Sequence, residues 1–269
     1  MIFDCFIFFN ELDIVDLRFK QLNQFVDFFI VVEAEKTHLG EYKGYNFPYE
    51  KYHKIYGDKI KYFKIELLEN SAWGREHENR KAIFNCLEDL NLDNEDLVFF
   101  SDCDEIWNPS VLNDAKIKNI NRPIGLTQMN FVFNEKYWAN TATVGTIACR
   151  FLDLKNLNEW HGDCLNFLRD KRNYIDRIKL ICGKHLSYYG NFDKIVEKCS
   201  AIAEGNTNYK SEDGKKLIMQ YINDAGSGKE FSFAPRGITN IENFQDGQEI
   251  EYWTVIQNQW IKESGIYVK

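Results

Sequence analysis

An α/β fold with a mostly parallel central sheet flanked by helices is what this sequence predicts, on three observations. Short apolar runs alternate with stretches of helical periodicity through the first half. The runs are continuously apolar, as strands covered on both faces are. Three polar clusters close such runs, Asn10/Glu11, Glu33/Glu35 and Asp102/Asp104/Glu105. Open α/β sheets hold ligands beyond the carboxyl ends of their strands.

The elements follow in order. Residues 2–9 read as a buried strand, broken by Asn10, Glu11 and Asp13. Leu12, Val15, Leu17, Phe19, Leu22 and Phe25 then recur near helical spacing. Residues 28–32 are a second strand, ending at Glu33, Ala34 and Glu35. Residues 36–56 show no clear period and read as a long surface loop rich in aromatics. Its tyrosines suit a lid or a sugar platform, and equally anchors onto the core. Residues 60–65 are a third strand, and 71–90 a helix with Trp73, His77, Arg80, Phe84 and Leu87 on one face. Residues 97–100 are a fourth strand, with 101–105 at its carboxyl end, and Pro109 opens a helical segment. Residues 124–133 and 146–152 read as two further strands, 160–169 as a helix, 185–189 as a strand and 193–204 as an amphipathic helix. From 205 the chain is polar, helical over 215–222, and interrupted by Gly226, Gly228, Pro235 and Gly237.

Composition narrows the function. A chain of 269 residues with 44% hydrophobic content can bury one sizeable core. A net charge of -8 argues against a nucleic-acid partner, since a phosphate backbone needs a basic track. The seven cysteines form no CxxC pair, which excludes a disulfide framework or a structural zinc site and fits a reducing compartment. No run is long enough to span a membrane, and the start does not read as a signal peptide. Peripheral membrane contact through the C-terminal half stays open, as does the oligomeric state.

The strongest local signal is Phe99-Phe100-Ser101-Asp102-Cys103-Asp104-Glu105-Ile106, an apolar strand running into three carboxylates. Crowded carboxylates repel unless a cation neutralises them. Mn²⁺ or Mg²⁺ does this with oxygen ligands and leaves positions for phosphate oxygens. Alternation along an extended segment sends Asp102 and Asp104 the same way. The same residues also suit a polar turn that only ends the strand. Arg75 and Arg80, on the preceding helix, have the planar fork that matches a diphosphate, although Glu76 and Arg80 are also spaced for an ordinary i,i+4 pair. His185 is a candidate metal or phosphate ligand, or a satisfied interior histidine, and Lys184 beside it a point charge for phosphate.

These segments resemble the beta-1,4-mannosyl-glycoprotein beta-1,4-N-acetylglucosaminyltransferase family, glycosyltransferase family 17. Residues 4–13 resemble its opening, 29–34 its second strand, and 73–82 the helix before its acidic motif. Ser101-Asp102-Cys103-Asp104-Glu105-Ile106 occupies its DxD-type position. Gly183-Lys184-His185-Leu186-Ser187 is similar to a Gly-Trp-His-x-Ser segment, with lysine in place of the tryptophan. The resemblance implies a GT-A-like fold, a UDP-sugar donor with GlcNAc favoured, a glycan or glycolipid acceptor, and inversion at the anomeric carbon. Animal members are membrane-anchored; without an anchor, this chain is expected to be cytoplasmic.

On that resemblance Asp104 is expected to ligate the metal, with Asp102 on metal or ribose and His185 on metal or diphosphate. Asn10, Glu11, Glu33, Arg75, Arg80, Asp102 and Lys184 are expected around the donor. Inversion in one step needs a general base; Asp163 and Glu105 are the two candidates, although Asp163 is equally placed to cap a helix. Residues 1–204 are expected to form the catalytic domain, with 205–269 as an extension packed on it. The competing readings are a metal-dependent nucleotidyltransferase, which would release pyrophosphate, and a non-catalytic carbohydrate-binding protein.

Overall fold

The computed structural model describes residues 1–226, together with residues 231–232, 238–239 and 242–243. The predicted breaks at Gly228, Pro235 and Gly237 lie outside the described residues.

Apart from one short helix, the first half forms where its periodicity places it. Strand β1 (Ile2–Phe8), helix α1 (Leu12–Leu22) and strand β2 (Phe28–Ala34) come first. Helix α2 (Tyr49–Tyr56), strand β3 (Ile60–Ile65), helix α3 (Ala72–Asp89) and strand β4 (Leu97–Asp102) follow. These four strands are parallel in the order β3-β2-β1-β4. Alternate residues of β1 feed opposite cores. Phe6 and Phe8 pack towards α1 and α2 with Phe19, Phe29 and Tyr52. Phe3 and Cys5 pack towards α3 with Ile83, Leu87 and Val98.

The GT-A-like, mostly parallel sheet is overturned beyond β4. The chain continues through β5 (Glu105–Trp107), α4 (Ala115–Lys118), β6 (Ile124–Val132) and β7 (Tyr137–Arg150). Then come α5 (Phe151–His161), α6 (Cys164–Lys171), β8 (Asp176–Ile178), β9 (Gly183–Ser187), α7 (Phe192–Cys199) and α8 (Glu212–Gly226). The sheet runs β3-β2-β1-β4-β7-β6-β9-β5, with β7 antiparallel to both β4 and β6 and β5 antiparallel to β9. The physical reason is connection length. Only residues 133–136 join β6 to β7, and so short a link cannot make the crossover that parallel strands need.

The sheet also curls into a half-barrel. Only Cys103 and Asp104 separate β4 from β5, yet β7, β6 and β9 lie between them in the sheet. The far edge therefore rolls back: the carbonyl of Glu105 accepts bonds from Ser101 Oγ on β4 and Thr146 Oγ1 on β7, both at 3.1 Å. This closure turns the acidic segment into the corner between two strands rather than the loose end of one.

Other local expectations are corrected. Residues 49–56 are helical, and the aromatics of the predicted loop divide between roles. Phe47 and Tyr52 are buried, with Tyr52 5.0 Å edge-on to Phe19, whereas Tyr42 is 76% exposed. The strand read over 146–152 is the end of the long β7, and 151 begins α5. The helix read over 160–169 is two helices broken at Gly162, whose φ of 70° caps α5. On α3 the buried face carries Asn79, Arg80, Ile83, Phe84 and Leu87, while Trp73 is half exposed. A third core cluster joins Ile218 and Ala225 of α8 to Ile195 and Val196 of α7.

All seven cysteines are free and buried. Burial pushes the thiols of Cys86, Cys164 and Cys199 up to about 12. Because the thiolate is the reactive form, the native protein is expected to consume essentially no thiol reagent at pH 8. The denatured chain should consume seven equivalents, and titration with a chromogenic disulfide checks both values.

Candidate active site

The parallel strands β1, β2 and β4 end side by side, with Ile7 paired to Asp102 and Phe8 to Glu33. A pocket opens beyond these ends. Its walls include Phe9 and Glu11 after β1, Lys36, His38 and Lys43 after β2, and Glu76, Asn79 and Arg80 of α3. The acidic corner supplies Asp102, Cys103 and Asp104, β9 supplies His185, and α7 with its following turn supplies Lys198, Ala201 and Glu204.

The corner is held from beneath by an ion pair absent from the predicted site. Arg18 on α1 and Asp4 on β1 are both fully buried. Arg18 donates from Nε and Nη2 to the two oxygens of Asp4, both at 2.7 Å. Its Nη1 donates to the carbonyl oxygens of Asp102 and Cys103 at 3.1 Å and Glu105 at 3.2 Å. Nη2 also reaches Ser101 Oγ at 2.9 Å, and Trp107 Nε1 donates to Asp4 Oδ1 at 2.8 Å. One planar fork thus holds three carbonyls of the turn at once. A signal was present in the sequence: a lone Asp in an apolar strand and a lone Arg on the apolar face with Ile14, Val15, Phe19 and Leu22.

The carboxylates are neutralised by fixed cations of the chain. Asp102 receives Arg80 Nη2 on Oδ1 at 3.2 Å and Arg169 Nη2 on Oδ2 at 2.6 Å. Burial opposes ionisation of Asp102, but Arg169 and then Arg80 outweigh it and hold the carboxyl well below the usual range. Asp104 Oδ2 receives Lys198 Nζ at 2.6 Å, and its Oδ1 lies 3.7 Å from His185 Nε2. Burial again opposes the charge, and Lys198 and His185 hold Asp104 below its ordinary value. Lys198 lies 3.4 Å from Glu11 Oε1 as well. Burial alone would lower Lys198, but Asp104 and Glu11 keep it protonated and above the ordinary lysine value.

The remaining predicted residues divide clearly. Glu11 lines the pocket and also accepts from the backbone N–H groups of Phe9 and Asn10 at 3.0 and 3.1 Å. Asn10 turns away to Glu197 at 2.8 Å. Arg75 binds the carbonyls of His38 and Glu69 at 2.7 and 2.9 Å, bracing the pocket loop from behind. Lys184 points to the other side of β9, onto Glu135 at 2.5 Å. Glu105 is buried and gripped by both arms of Arg169 at 2.6 and 2.7 Å. Asp163 caps α6 by accepting from the Asn166 N–H at 3.2 Å. Neither of these base candidates lines the pocket.

Glu33 is wholly buried and acts as a bracket. It accepts from Lys43 Nζ at 2.6 Å, the N–H groups of Asn46 and Phe47 at 2.7 and 3.0 Å, and Tyr62 OH at 2.6 Å. Glu33→Ala is expected to destabilise the fold by about 3 kcal/mol, the cost of stranded buried donors. The urea unfolding midpoint checks it.

Among the described residues, no three His, Cys, Asp or Glu side chains converge as a preformed metal cage. Mg²⁺ sites on phosphate substrates commonly use one or two carboxylates plus phosphate oxygens. On the pocket wall Asp104 Oδ1 faces His185 Nε2 at 3.7 Å, and the pair fits that sparse pattern, although the same nitrogen lies 3.1 Å from Ser187 Oγ and Nδ1 lies 3.2 Å from Asn130 Oδ1. Each oxygen of Asp102 already accepts from an arginine, Oδ1 from Arg80 and Oδ2 from Arg169.

Burial lowers His38 below the ordinary histidine value, with Glu76 partly compensating, so its imidazole is neutral at pH 7. Arg80 is fastened on three sides, to Glu76 at 2.9 Å, to Asp102 at 3.2 Å and to Asn166 at 2.8 Å. Lys198, Arg169 and His38 were not predicted for the site, since nothing in local spacing marks residues that meet it only through folding; Glu76 was read as the i,i+4 partner of Arg80, and it forms that pair.

The family model for glycosyltransferase family 17 matches residues 1–156, which contain β1 to β7 and the acidic corner. No curated protein matches the chain. Among solved structures, the inositol-1-phosphate CTP transferase from T. maritima is similar at 11% identity over 85% of this chain and 98% of that one, with a TM-score of 0.35. The glycosyltransferase GlyE of Streptococcus pneumoniae TIGR4 is similar at 10% identity over 99% of this chain and 65% of that one, with a TM-score of 0.30. These likenesses are too distant to argue from. No described helix is long and apolar enough to cross a membrane. The family match covers more than half of the 269 residues, and the chain belongs to glycosyltransferase family 17, an enzyme of glycosyltransferase type.

Proposed function

We propose that the enzyme transfers a sugar, GlcNAc favoured, from a UDP-sugar to a glycan acceptor with inversion. The observation that carries this reading is the acidic corner: Asp102, Asp104, Arg80 and Lys198 meet in one pocket at the ends of three parallel strands. The acceptor hydroxyl oxygen bonds to the anomeric carbon while the bond from that carbon to the diphosphate breaks. The electron pair leaves with the diphosphate, and the hydroxyl proton passes to a base. Charge therefore grows on the leaving phosphate, where preorganised cations act most strongly. Arg80 is fixed there by its three partners, and Lys198 stands opposite on α7.

Asp104 and His185 would hold Mn²⁺ or Mg²⁺. The chemistry supplied by such an ion would be Lewis-acid stabilisation of the leaving diphosphate. Asp102 instead orients Arg80 and Arg169, and its position beside Ile7 also suits a ribose hydroxyl. Residues 1–204 are read as the catalytic domain and 205–269 as an extension on it, supported to residue 226 by the packing of Ile218 and Ala225 on α7.

Turnover of a panel of UDP-, GDP- and CMP-sugars, with and without Mn²⁺, tests the reading. Hydrolysis or transfer from one UDP-sugar is the expected result. Release of pyrophosphate from a nucleoside triphosphate, with no sugar donor consumed, would place the chemistry in nucleotidyl transfer instead.

A further inference from the structure

Lys198 sits where the acidic corner most needs a cation. Its Nζ is 2.6 Å from Asp104 Oδ2 and 3.4 Å from Glu11 Oε1, and its side chain is 15% exposed. It therefore occupies one oxygen of the carboxylate that, with His185, fits a divalent ion. The other cations of the pocket have separate anchors. Arg80 is tied to Asp102 and Glu76, Lys43 to Glu33 and Lys36 to Glu35. Lys198 also projects from the last turn of α7 on a flexible four-carbon stem, which can reorient its ammonium without moving backbone. A diphosphate entering beside Glu11 and Asp104 meets like charge unless a cation turns towards it.

We infer that Lys198 is a diphosphate-binding residue kept on Asp104 in the empty pocket, so that a divalent ion on Asp104 and a diphosphate on Lys198 bind cooperatively. The inference rests on the reading of the pocket as a nucleotide-sugar site. An ion that takes Asp104 frees the lysine for phosphate, and phosphate that takes the lysine frees Asp104 for the ion. Linkage makes the two effects equal.

The test is calorimetric titration of the full chain with Mn²⁺ alone, UDP alone, UDP with Mn²⁺, and uridine as the phosphate-free control. Wild type is compared with Lys198→Met, which keeps the stem's volume, and Lys198→Arg, which keeps the charge. Lys198→Met should bind Mn²⁺ about tenfold tighter and UDP about tenfold weaker, the scale of a close charge pair, with uridine unchanged. Lys198→Arg should retain UDP binding. Unchanged Mn²⁺ affinity in a folded Lys198→Met protein overturns the competition for Asp104. A loss of UDP no larger than that of uridine overturns the phosphate contact. If wild type with Mn²⁺ binds no UDP, the UDP-donor reading and the phosphate contact fall together, and the Mn²⁺ titration alone still decides whether lysine and ion compete.

Discussion

Arg18→Ala is expected to cost the fold about 3–5 kcal/mol, the penalty for removing one partner of a buried ion pair. The substitution strands Asp4 in the core with Trp107 Nε1 as its remaining side-chain donor. It also strips the carbonyls of Asp102, Cys103 and Glu105 of their shared donor. Arg18→Lys should recover only part of the loss, because an ammonium cannot span Asp4, Ser101 and three carbonyls from one plane. Urea unfolding followed by far-UV circular dichroism gives both values. A loss below about 1 kcal/mol, the size of an ordinary exposed pair, would falsify the bracing role. Because the corner's backbone depends on Arg18, donor binding should fall in any Arg18 variant that still folds, although Arg18 does not line the pocket.

Asp104→Asn should lower donor turnover by about 10²–10³-fold, the range for losing one preorganised electrostatic contact at a developing charge. Asparagine keeps the shape, and Lys198 retains Glu11 at 3.4 Å, so unfolding stability should change far less than activity. Steady-state kinetics beside a urea curve separate the two readouts. Equal loss of stability and turnover would mean that Asp104 mainly holds the fold. The pH dependence follows from the directions of the shifts. Asp102 and Asp104 are held below the usual carboxylate range, so their contribution is present above the unfolded value and is lost as pH falls through the lowered one. Lys198 is held above the usual lysine range, so its contribution is full below the unfolded value and is lost as pH rises through the raised one. The ion pairs of the corner thus persist across the neutral range.

The first half of the fold was legible because each element there carries its own signal. Strands β1, β2 and β4 are compact, mostly apolar runs, β3 is a mixed run with Ile60, Tyr62, Phe63 and Ile65 among lysines, and α1 and α3 have a repeating buried face. Helix α2 escaped because Tyr52 is its one buried residue, too few for a period. Strand β5 escaped because it is three residues long and begins at Glu105, whose charge is acceptable in the interior only with Arg169 against it. The boundary between β7 and α5 escaped because Phe151 and Leu154 are as apolar as the strand before them.

The sequence by itself determined the parallel quartet, the position of Asp102 and Asp104 at its rim, and the family. These are properties of contiguous residues, written in periodicity and in short motifs. Only the tertiary structure decided that the sheet turns antiparallel and rolls into a half-barrel, and which cations meet the carboxylates. Arg169 reaches Asp102 across 67 residues, and Lys198 reaches Asp104 across 94. The physical reason is that charge neutralisation acts through space: a carboxylate at a strand end demands a cation, and the curl of the sheet selects which distant side chain supplies it.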